Sequence, residues 1–319
     1  MTDGVLVATW DDGVFVVTEQ SCSHELSGHA VRGLTTDGGD GMLAIVDGYT
    51  LQRRNGRGDW TTVAKAECGL SCCVVTEGEV YVGSDDARLF RLTYAGALVS
   101  LDAFATVEGR ETWFAGQALV NGTLMGPPLG VRSLTATADG VLLANVHVGG
   151  IPRSSDGGAS WQPTIAVNAD VHEVRAHPSR PSIVAAASAV GLWLSGDGGA
   201  KWTLHHEGLH ARYCSAVAFV RDEVWVAVSD DHFAPRGRIY RCSLDQPSPF
   251  TAVSGLPEWT DGIVDTQCIG VHAADVACAD LAGNLYVSRD HGGTWARWAT
   301  GLPSPSSTAW CKAGASSPN

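Results

Sequence analysis

Apolar positions in this chain form short runs, each closed after a few residues by Gly, Asp, Asn, Ser or Pro; residues 182–188, 191–195 and 202–205 are three in succession. Runs of that length, rich in β-branched and aromatic side chains and bounded by turn formers, predict β-strands. The 3.6-residue periodicity of amphipathic helices is absent. The longest apolar stretches, such as 183–187, fall far short of the roughly 20 residues that a membrane helix needs. The pattern predicts a soluble all-β chain.

Three segments carry one motif, Ser-x-Asp-x-Gly-x-x-Trp: Ser154, Asp156, Gly158 and Trp161; Ser195, Asp197, Gly199 and Trp202; Ser288, Asp290, Gly292 and Trp295. The Asp carboxylate accepts backbone N–H groups in a tight turn, Gly takes a conformation closed to other residues, and Trp fills the space between sheets. Weaker copies keep Ser243, Asp245 and Phe250, and Asn55 with Trp60. Trp161, Trp202, Phe250 and Trp295 stand 41, 48 and 45 residues apart. A period in the forties with four short strands per repeat predicts propeller blades, and a chain of 319 residues predicts seven of them at about 45 residues each.

Innermost strands are expected near Arg32, Ser71, Arg132, His172, Ser215 and Gln267, with an N-terminal blade supplying strands at 5–9 and 14–18. That first blade lacks an innermost strand, and residues 307–311 are the candidate to fill it. Pairing the two chain ends would close the ring and remove exposed sheet edges. Residues 1–319 thus read as one domain. Residues 109–130, with Arg110, Trp113, Phe114, Pro127 and Pro128, form a surplus between the third and fourth blades, and 312–319 a frayed tail.

With these motifs the chain resembles the sialidase-like Asp-box (BNR) repeat β-propellers, including bacterial chains described only as exo-alpha-sialidase-like or glycosyl-hydrolase-like. The resemblance implies boxes on one face of the ring and a ligand site on the other, at the mouth of the central channel. Registering the blades on their second strands (Val80, Val141, Val224) sets Ser71, Arg132 and Ser215 at one equivalent position, and Arg32, His172 and Gln267 join them in a polar ring. Asp170, Tyr213 and Asp265 stand two residues before the ring. Loops between second and third strands add Asp11, Asp12, Asp47, Asp85, Asp86, His147, Asp230, Asp231 and His232. The ring predicts a small polar ligand, with Trp113 as an apolar lid. Two arginines favour an anionic oxygen cluster on that ligand, the aspartates a cationic group or divalent metal, and a zwitterion satisfies both. His147 and His172 with nearby aspartates are the candidate metal ligands, and His172 is also a candidate proton carrier.

Sialidases clamp a carboxylate with three arginines and use a Glu-activated Tyr nucleophile with an Asp acid. The resemblance implies that Arg32 and Arg132 are clamp members, Tyr213 the nucleophile and Asp265 the acid. The sequence departs from that pattern: it has no Arg-Ile-Pro, no third ring arginine and no Glu beside Tyr213. The same repeats resemble photosystem assembly factors and sortilin-like receptors, in which a propeller is a docking platform, so a non-catalytic interaction scaffold is the competing class. HExxH, GxSxG and phosphate-cradling glycine motifs are missing.

Charge narrows the partners. Net charge is −13, from 34 acidic against 21 basic residues, which repels nucleic-acid backbones and anionic lipid surfaces. Nine scattered cysteines contain no CxxC pair and read as free thiols in the core. The sequence passes from Met1 directly into a strand pattern without a secretory signal, which predicts a cytoplasmic protein if Met1 is native.

Overall fold

A computed structural model describes residues 3–116, 118–120, 122–125 and 129–312. Seven antiparallel sheets stand in a ring, giving a seven-bladed β-propeller. The innermost strands of the second to seventh blades are Val31–Thr36, Leu70–Thr76, Val131–Ala136, Val171–Ala176, Tyr213–Val220 and Ile269–His272. The first blade takes its innermost strand from the other end of the chain. Pro305–Lys312 pairs antiparallel with Asp3–Thr9, Trp310 opposite Val5, so the ring is closed by the pairing of the N- and C-terminal strands.

The strands follow from where their residues lie. Second strands such as Met42–Val46, Leu142–Val146 and Val184–Ser188 are buried along their whole length, because each faces a neighbouring blade on both sides. Outermost strands such as Cys22–Glu25 are exposed and polar. The buried apolar side chains fall into seven clusters, each between two adjacent blades. The core is therefore a ring of interfaces, and each blade depends on the next for its burial. Six of the nine cysteines are buried in it.

The boxes form the turns expected of them. Ser154 Oγ donates to Asp156 Oδ1 (2.8 Å) and accepts the Gly158 N–H (2.9 Å), while Asp156 Oδ1 accepts the Ser160 N–H (2.9 Å). Ser195 with Asp197 and Ser288 with Asp290 repeat the set. At Gly292 φ is 84° and Trp225 of the sixth blade lies against the Cα, so a side chain would meet both strain and contact. All three boxes join third to fourth strands, at the opposite end of the sheets from the loops joining second to third strands.

The surplus between the third and fourth blades is preceded by a 3-10 turn, Asp102–Thr106, and holds a second, Arg110–Thr112, and a hairpin of Ala118–Val120 with Thr123–Met125. Pro127, Pro128 and the tail beyond Lys312 lie outside the described residues. Lys312 itself ends the closing strand. Among the described residues no helix is long and apolar enough to cross a membrane.

Candidate functional site

The predicted ring has a backbone cause. In five innermost strands one residue is skipped by the pairing register, and it is Ser71, Arg132, His172, Ser215 or Ser306. In the second blade the register slips just after Arg32. A bulge of this kind re-aims a side chain out of the pleat, so in six of the seven blades one residue leaves the pairing at the same level; the innermost strand of the seventh pairs without a shift.

Most of these side chains are spent on holding blades together. Ser71 Oγ donates to Val131 O (2.5 Å), Ser215 Oγ to Val264 O (2.6 Å) and Ser306 Oγ to Val31 O (2.5 Å). His172 Nδ1 is 2.6 Å from Cys214 O, and Arg32 Nη2 donates to Leu70 O. Four of these acceptors are the carbonyl just before the next blade's own ring position. Arg132 breaks the pattern. Among the described residues its guanidinium makes no hydrogen bond; Nη2 stands 3.6 Å from Asp265 Oδ1, and the side chain is 19% exposed.

Above this layer a cavity of about 500 Å³ opens on the face opposite the boxes. Arg32, Ser71, Arg132, Asp265, Gln267 and His147 line it. Arg32 is further held by Asp85 at 2.8 Å, and Thr266 donates its N–H to Asp265 Oδ1 at 2.7 Å. His232, expected on a mouth loop, also faces the cavity, as do Trp10 and Ser306, which were not among the predicted site residues. Ser306 adjoined the predicted closing strand, and its position was the available signal for it.

Asp170, His172, Tyr213 and Ser215 do not line this cavity among the described residues. Three of them form a layer beside it. Asp170 Oδ1 lies 3.2 Å from His147 Nε2 and 3.9 Å from His172 Nε2, and the His172 ring packs on Tyr213 with centroids 4.4 Å apart. Burial, reinforced by the Arg132 and His232 charges, pushes His147 down to about 3. Burial also holds His172 well below the ordinary imidazole range and raises the Tyr213 hydroxyl. Both imidazoles are therefore neutral at pH 7, and Tyr213 stays protonated. The charges acting on Tyr213 come from Arg132, Asp265, Asp170 and Asp231, with no glutamate among them.

The structure does not place Trp113 as a lid. Its indole is buried with Phe104 and Trp161 between the third and fourth blades, its ring centroid 4.7 Å from the Arg110 guanidinium carbon. An indole gains more by filling that interface than by covering a wet mouth. Phe114, next in the chain, is 55% exposed and donates its N–H to Val148 O. Below the mouth a narrower part of the channel contains Glu173, a residue outside the predicted site. Its carboxylate is fully used by Arg175 and by the N–H groups of Val217 and Gln267.

No protein-family model and no curated protein matches the chain. Solved β-propellers do. The WD40 propeller domain of Doa1 is 14% identical with a TM-score of 0.62, covering 95% of this chain and 88% of that one. YCF48 bound to D1 peptide is 17% identical with a TM-score of 0.57, covering 84% and 81%. The GH74 xyloglucanase from Xanthomonas campestris is 15% identical with a TM-score of 0.53, covering 92% of this chain and 46% of that one. At these identities the likeness is one of fold.

Proposed function

We propose that this propeller binds a small polar ligand at its channel mouth, with an anionic oxygen group on Arg132 and room for a cationic group against Asp265. The observation that carries the reading is Arg132: a guanidinium with five donors and no hydrogen-bond acceptor among the described residues, on the wall of a cavity of about 500 Å³. That volume lies in the usual range for small-molecule sites. The 3.6 Å separation from Asp265 is too long for a hydrogen bond, so a zwitterion inserting there loses little to the pair it separates. The Tyr213 environment supports binding over a sialidase-type attack, since burial keeps its hydroxyl protonated and no glutamate acts on it.

Calorimetric titration with small carboxylates, amines and zwitterions tests this. Carboxylates or zwitterions should bind, and Arg132→Ala should weaken them at least about tenfold, or about 1.4 kcal/mol. Equal affinities for both proteins sink the reading.

One observation favours a second reading. Trp10, Tyr49, Phe114 and Phe233 are 41 to 67% exposed, all on loops of the mouth face. Aromatic rims of this kind suit a protein partner, and YCF48 is a propeller solved with a peptide bound. Peptides selected from a display library that bind wild type and lose binding with Trp10→Ser and Phe233→Ser together would favour the scaffold.

A further inference from the structure

His147, Asp170 and His172 bring three metal-ligating atoms together, all within 4.8 Å of one another. His172 Nδ1 is committed to Cys214 O at 2.6 Å, which fixes the tautomer and leaves the Nε2 lone pair facing Asp170 Oδ1 at 3.9 Å. Asp170 Oδ1 is buried and has no hydrogen-bond partner among the described residues; the His147 Nε2 contact at 3.2 Å lacks hydrogen-bond geometry. His147 Nδ1 is buried and without a partner as well, its ring packed so closely on Gly116 that no Cβ fits there. Unpaired polar groups in such a place cost about 1–3 kcal/mol each. A cation held by the two Nε2 atoms and Asp170 Oδ1 removes that cost at the carboxylate.

We propose that His147, Asp170 and His172 bind a divalent first-row transition ion, Zn(II) or a similar one, with an open coordination position toward the channel mouth. The three ligand atoms lie within 4.8 Å of one another. Tetrahedral coordination at zinc's ordinary bond lengths sets donors about 3.4 Å apart; the separations of 3.2 and 3.9 Å bracket that value, and no pair of the three exceeds 4.8 Å. Two imidazole nitrogens and one carboxylate select such an ion over Ca(II) or Mg(II), which prefer all-oxygen shells. The His172-to-carbonyl bond is the usual outer-shell support for a metal-bound imidazole. Three protein ligands leave a position for an exogenous one. Arg132, whose charge acts on all three residues, lines the adjoining cavity together with His147.

The inference rests on the ligand reading only for that fourth position, because the ion is measured with no organic ligand present. Chelator-stripped protein titrated with Zn(II) should take up one ion per chain, and Co(II) should give visible absorption of a low-coordinate site. Asp170→Asn, chosen because asparagine tolerates the left-handed φ of 51° at that position, and His147→Ala should each weaken Zn(II) at least tenfold. His206→Ala should leave it unchanged. Electron paramagnetic resonance of Cu(II)-loaded wild type should show two nitrogen donors, and decides the question if a variant fails to fold. No uptake, uptake indifferent to Asp170→Asn, or fewer than two nitrogens on the copper overturns the site. A protein that takes up Zn(II) but no small acid refutes the ligand reading alone.

Discussion

Replacing Trp310 by alanine tests how the ring is held closed. Trp310 is 8% exposed and packs with Val5, Val7, Ala277 and Leu285, so it spans the first and seventh blades. Its Nε1–H donates to Gly270 O of the seventh blade at 3.1 Å. Removing a buried Trp side chain costs about 3–5 kcal/mol. The lost hydrogen bond, which leaves the Gly270 carbonyl unpaired, adds about 1 kcal/mol. The sum is near half the total stability of an ordinary domain, about 5–15 kcal/mol. Urea unfolding followed by far-ultraviolet circular dichroism reads the loss as a lower midpoint, with Tyr94→Ala, a fully exposed tyrosine of the third blade, as the control near zero. Truncation before Pro305 should go further and leave an unfolded or aggregated chain. A Trp310→Ala midpoint no lower than that of Tyr94→Ala would refute the argument that this strand carries closure.

The box carboxylates give an acid limb. Hydrogen bonds from Ser160 hold Asp156, and the Thr294 N–H holds Asp290, at about 2 against an ordinary 3.8. A depressed carboxylate stabilises the fold above its unfolded value and loses that contribution as pH falls through its folded one, so wild type should lose stability between about pH 4 and pH 2, and Asp290→Asn should flatten that slope in thermal melts taken across the window. Gly292→Ala should cost about 1–3 kcal/mol in chemical denaturation, more than Gly301→Ala, because both positions have a left-handed φ but only Gly292 faces another blade; equal losses would deny that the box glycine is an inter-blade contact.

The fold was legible because propeller blades repeat locally. Trp161, Trp202 and Trp295 mark the period directly, and the second strands announce themselves as unbroken apolar runs. Closure was legible too, since a first blade with two strands and an unassigned strand at the far end admit one economical pairing. The site was legible as a layer only. Sequence spacing put Ser71, Arg132, His172 and Ser215 at one level, but whether a side chain there turns to the channel or to the next blade depends on a bulge that spacing does not reveal. Trp113 failed for a different reason: a Trp in an insertion carries no sequence mark that separates a lid from a plug. Asp170 stood in the predicted rim, yet its pairing with His147 and His172 depends on contact between the fourth and fifth blades, which no local pattern encodes.

The break in the ring at Arg132 can be tested as a trade between stability and function. Serine at three equivalent positions reaches a carbonyl of the adjoining blade at 2.5 to 2.6 Å. At Arg132 the corresponding acceptor is Val171 O, just before His172, and no described side chain takes that bond. Serine there has the reach, because the bulge places residue 132 as it places Ser71. Arg132→Ser should therefore add a hydrogen bond worth about 0.5–1.5 kcal/mol and remove a guanidinium held among unmatched polar groups. A site kept at the expense of stability is expected where binding needs donors left unpaired in the free protein. The variant should melt higher than wild type and bind small carboxylates more weakly, both measured on the same preparation. A variant that melts lower shows that Arg132 itself holds the fourth and fifth blades together, and the guanidinium is then a staple like the serines.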